Sequence, residues 1–176
     1  MANETLSHYD RTTIGLHWAT AILVVVLWIM GQTADWVPRG SMRLDYWSIH
    51  VVLGFVLALL LIGRIVWRGS GGRRLPPTDA GILHFLAEAT HILLYLLLVI
   101  VVGLGVINAF VRGYNLFDWV KLPQIGDRAL GRPITQWHGL TANVLLGLAL
   151  LHALAALGHH YVMRDGVLQR MLATRG

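Results

Sequence analysis

The sequence contains no cysteine. Disulfides, iron–sulfur clusters on thiolate ligands and covalently attached c-type haem are thereby excluded. Charge is scarce as well: only 13% of the 176 residues are Asp, Glu, Lys or Arg, about half the share of a soluble domain. Hydrophobic residues make up 56%. The few charges cluster between long apolar runs, which is the pattern of a membrane protein. There is no basic stripe with interleaved aromatics of the kind that binds single-stranded nucleic acid. The formal net charge of +5 therefore suits contact with anionic lipid, not nucleic acid. No repeat at a fixed period is visible, and the length suits one compact bundle.

What is present is four apolar runs. The pattern predicts an all-α integral membrane four-helix bundle forming a single domain over 1–176, with transmembrane helices at approximately 12–34, 46–67, 82–111 and 133–162. Each is long enough to cross a hydrocarbon core of about 30 Å. A cleavable leader would have an apolar centre of about 7–15 residues; the first run is longer and contains His17, so it reads as a span. Trp18, Trp36, Trp47, Trp67, Trp119 and Trp137 lie near the ends of the runs, where an interfacial belt belongs. Pro133 suits the first turn of the fourth helix.

Loop charge sets the orientation. Arg64, Arg68, Arg73 and Arg74 crowd the connection between the second and third runs, with Arg64 read as snorkelling to the interface. That side is expected to be cytoplasmic, and with it both termini. The connection from 112 to 132 is then outside, and its length marks it as a functional loop.

Four of the histidines in the runs can be matched by depth. His138 and His152 are fourteen residues apart on the fourth run, nearly four whole turns, so they share a face about 21 Å apart in height. Topology gives the rest their depth. His17 begins the first run and belongs with His152 near the cytoplasm. His50 begins the second and belongs with His138 near the outside. Each pair joins two helices at one level, as a bis-histidine haem b requires, with one imidazole on each face of the macrocycle. Gly15, Gly54, Gly139 and Ala156 offer clearance nearby, although small residues also serve helix packing. A single membrane histidine is also a common interhelical hydrogen-bonding group. A zinc or copper site would need three or four ligands converging at one level, and the sequence supplies chiefly two. Of the remaining histidines, His91, with His159, is a candidate to hydrogen-bond a quinone head group beside the cytoplasmic-side haem.

The segments IGLHW around His17, SIHVVLGF around His50, THILLYLLL around His91, QWHG around His138 and LLHALAALGHHY from 150 to 161 resemble those of the bacterial cytochrome b561 family. The resemblance runs over nearly the whole chain in order, spacing and length. It implies a four-helix, di-haem b protein of the inner membrane whose haem ligands are His17, His50, His138 and His152. One family member of similar length is a superoxide oxidase, so the resemblance also implies an oxidoreductase that passes electrons from superoxide outside, through two haems, to ubiquinone. Arg128 and Arg132, with Arg112, Lys121, Arg39 and Arg43, lie on the outer side, where a positive field would concentrate the superoxide anion. Pairing with haem propionates or solvent is the other use for these cations. The alternative function is a cytochrome b electron-transfer subunit linking a hydrogenase or dehydrogenase partner to the quinone pool; the compact length favours a protein that works without one.

Overall fold

In the computed structural model, residues 8–73, 75–76 and 81–172 are described. Arg74, which enters the charge bias above, lies outside them. Four long helices make the fold: α1 (Arg11–Thr33), α2 (Ser41–Ser70), α3 (Ile82–Arg112) and α4 (Gly131–Gly158). All four are long and apolar enough to cross a membrane. Most of their surface is unburied, as expected of helices whose outer faces meet lipid.

Local chemistry fixes where each helix begins and ends. Asp10 caps α1, accepting hydrogen bonds from the Thr13 amide at 2.8 Å and the Thr13 hydroxyl at 2.7 Å. The second helix starts five residues before the expected 46, because the break lies at Gly40, whose φ of 114° suits glycine alone. Gly113, with φ of 60°, ends α3 in a left-handed turn, its amide bonded to the Phe110 carbonyl and that of Tyr114 to Ala109. Beyond α4 the backbone widens into a π turn, His159–Met163.

Contacts at both ends make consecutive helices antiparallel. Thr33 meets Tyr46 at one end of the α1–α2 pair, and Trp67 meets Asp10 and Thr13 at the other. Asn108 bonds Thr135 between α3 and α4. The termini share an end of the bundle, where the Tyr9 amide bonds the Arg170 carbonyl and the Trp18 indole bonds the Met171 carbonyl. We call this the terminus end.

The opposite end carries an element the sequence did not suggest. Within 112–132 a small antiparallel hairpin pairs β1 (Asn115–Leu116) with β2 (Val120–Lys121). Phe117 and Asp118 form its turn with φ of 52° and 60°, the mirror-image turn that suits strand twist. Asn115 bonds Asp118 across it, and the Phe117 amide donates to Ser48 Oγ at 2.9 Å. Ser48, only 1% exposed, thus pins the hairpin to α2. Midway between the ends, Leu27, Leu57, Leu61, Leu98, Val101 and Leu145 form the core, contributed by all four helices.

Candidate functional site

Two levels of polar side chains flank this core. At the hairpin end His50 of α2 faces His138 of α4, with ring centres 6.3 Å apart and planes at 75°. At the terminus end His17 of α1 faces His152 of α4, with centres 6.5 Å apart and planes at 67°. All four rings are half-buried.

These separations can be compared with metal coordination. Two imidazole–metal bonds of about 2.0 Å each, with each ring centre about 1 Å beyond its nitrogen, set the centres roughly 6 Å apart. Both pairs have that width. His91 of α3 lies closer to His152, at 5.2 Å between centres, too close for a metal between them. Among the described residues no three His, Cys, Asp or Glu side chains converge on a bare metal ion. Two-coordinate axial ligation of a planar macrocycle fits these residues; a zinc-type cluster does not.

The surroundings orient the rings. His138 Nδ1 lies 2.9 Å from the Val101 carbonyl oxygen. It donates there, which leaves the Nε2 lone pair for a ligand. Across from it, His50 Nδ1 is buried with no partner, so the chain leaves this ring to be fixed by what it binds. Trp47 packs edge-on against His50 at 5.3 Å and also lines a shallow cavity of about 270 Å³ with Gly40, Arg43, Leu44, Tyr114 and Asn115.

The terminus-end level contains a residue whose role the sequence did not reveal. Arg64 turns inward from α2, where snorkelling was expected. Its Nη2 lies 3.1 Å from His17 Nδ1, and its guanidinium lies over the Tyr95 ring, 5.0 Å from the centroid. His50 and Arg64 are fourteen residues apart, the same interval as His138 and His152, so they share a face of α2 at the two levels.

The other expected site residues are more dispersed. His91 stands beside His152. His159, in the π turn, pairs with Asp165, and neither a hydrogen bond nor a ring contact joins it to His91. Arg128 is exposed and bonds Gln124 at 2.9 Å. Arg132 is exposed and makes no hydrogen bond or ion pair among the described residues. Arg43 bonds the Val37 carbonyl and pairs with Asp35 at 3.6 Å.

Known proteins supply the family. Residues 8–174 match the model of the prokaryotic cytochrome b561 family. A protein of Yersinia pestis named probable superoxide oxidase CybB is 30% identical, over 93% of this chain and 95% of its own. Cytochrome b562 of Cereibacter sphaeroides is 33% identical over 95% and 96%. Cytochrome b561 homolog 1 of Escherichia coli K12 is 29% identical over 97% and 99%. The chain belongs to the prokaryotic cytochrome b561 family and is a haem b-binding, multi-pass electron-transfer protein of the bacterial inner membrane.

Proposed function

We propose that this protein binds two haems b and transfers electrons from superoxide, outside the membrane, to ubiquinone. The observation that carries the reading is the pair of iron-wide histidine gaps at two levels of one bundle. His50 and His138 hold one haem; His17 and His152 hold the other. Each haem supplies a ferric–ferrous couple that takes and gives one electron. The single domain spans the membrane with both termini cytoplasmic, a placement supported by Arg68 and Arg73 at that end.

The two levels differ in access. The hairpin end lies outside, and its connections with the helix turns that flank them (34–45 and 112–132) carry six cations against four carboxylates, a balance that draws a small anion. Arg128 and Arg132 contribute to this field, and the cavity beside Trp47 brings the anion near His50. Two superoxide ions leave as dioxygen after yielding one electron each. At the terminus end His91, with His159, hydrogen-bonds the quinone, which takes up two electrons and two protons to become the quinol. The name borne by the Yersinia pestis relative supports the donor.

Anaerobic stopped-flow spectroscopy on the haem-loaded protein tests this function. Superoxide should reduce the haems at a near diffusion-limited rate, and a soluble ubiquinone analogue should reoxidise them. Haems that ignore superoxide yet exchange electrons with quinol would instead identify a redox subunit working with a dehydrogenase or hydrogenase.

A further inference from the structure

The two histidine levels are electrostatically unequal. At the terminus end the Arg64 guanidinium lies against His17, whose ring faces His152, which in turn stands beside His91. At the hairpin end no hydrogen bond or ion pair joins a charged side chain to His50 or His138 among the described residues; their neighbours are each other, an indole ring and a backbone carbonyl. A guanidinium keeps its charge at any accessible pH. In a low-dielectric interior that charge is felt far more strongly than in water. The Tyr95 ring face beneath the guanidinium holds it without neutralising it.

We propose that Arg64, seated on Tyr95, sets the reduction potential of the terminus-end site and makes it the electron sink of the pair. This rests on the haem assignment proposed above. One-electron reduction lowers the charge at a site by one, and a fixed cation beside the site favours the reduced form. The site next to Arg64 therefore accepts an electron at higher potential than it would otherwise. The single electron that leaves the donor at the hairpin end comes to rest beside Arg64 until the quinone takes it. Arg64 acts through its fixed charge beside the site and touches no reacting atom, so it is a potential-setting residue, not a catalytic one.

Spectroscopic redox titration of the haem-loaded protein tests this. The two midpoints are assigned with a His50→Ala protein that keeps only the terminus-end haem. Arg64→Gln should shift the oxidised-to-reduced ratio of that haem at fixed poise by about tenfold toward oxidised, which for one electron is about 59 mV. The hairpin-end midpoint should stay within about threefold. Arg64→Lys, which keeps a cation, should stay close to the parent. Full haem content with an unmoved terminus-end midpoint in Arg64→Gln would overturn the proposal and leave the haem assignment standing. A shift of equal size in Arg64→Lys would overturn it too, by tracing the effect to shape and not charge. Loss of the terminus-end haem in Arg64→Gln, with or without loss in Arg64→Lys, would make Arg64 a loading residue and likewise overturn it. A parent protein without haem would instead remove the reading beneath it.

Discussion

Gly105 of α3 and His138 of α4 lie so close that a methyl group at Gly105 would crowd the imidazole ring. A Cβ at Gly105 would stand 3.0 Å from His138 Cε1. The ring cannot swing freely away, because Nδ1 is tied to the Val101 carbonyl one turn earlier on the same helix. Gly105→Ala should therefore push His138 out of line, with strain of about 1–3 kcal/mol. Haem binding at the hairpin-end level should weaken about 5- to 150-fold in a haem titration, while the terminus-end spectrum stays unchanged. Parent-like binding at both levels would contradict the contact.

The terminus end is tied together by Asp10. Its carboxylate accepts from Thr13, from the Trp67 indole at 3.2 Å and from the Arg73 amide at 3.2 Å. Slight burial works to raise its pKa, but the hydrogen bonds from Thr13, Arg73 and Trp67 outweigh that and hold it at about 2, below the ordinary 3.8. With the folded value depressed, the stabilisation is complete above about 3.8 and is lost as pH falls through about 2. Asp10→Ala should cost about 1 kcal/mol near neutral pH, as for other lost caps. Thermal melts of parent and variant should draw together below about pH 3.8 and converge only below pH 2. A gap that stays at its full neutral-pH size below pH 2 would show that the charge is not what holds this end.

Electrostatic capture predicts a salt signature. Arg128→Gln with Arg132→Gln should lower the second-order rate with superoxide by about three- to tenfold at low ionic strength. The difference should shrink as salt is raised toward 1 M, where the screening length is about 3 Å. Equal rates at low salt would remove both arginines from the path of the anion.

Quinone reduction separates His91 from the haem ligands. His91→Ala should keep both haem spectra and slow haem reoxidation by a ubiquinone analogue about tenfold, the worth of one hydrogen bond. His159→Ala should slow it less, since Asp165 already engages its ring. Unchanged reoxidation in both variants would place the quinone elsewhere.

Much of the bundle was legible in the sequence because hydrocarbon imposes its own rule: a spanning segment must satisfy its backbone internally, so long apolar runs become helices. Histidine depth could be read because helical rise is fixed, and His138 and His152 supplied a ruler on one chain segment. The hairpin at 115–121 was not legible. Its turn residues, Phe117 and Asp118, carry none of the usual glycine signal, and its anchor is Ser48, distant in sequence. Arg64 was misjudged for a related reason. Near a helix end a cation normally snorkels, and only the partners on α1 and α3, His17 and Tyr95, draw it inward. A signal was nevertheless present, since Arg64 repeats from His50 the fourteen-residue interval that separates His138 from His152.

The most direct test of the two-level assignment is a haem count with spectra on four single variants. The parent should carry two haems b per chain. His50→Ala and His138→Ala should each retain one haem with one shared spectrum; His17→Ala and His152→Ala should each retain one with the other. A His50→Ala spectrum matching that of His17→Ala, or single variants that fold yet lose both haems, would contradict it.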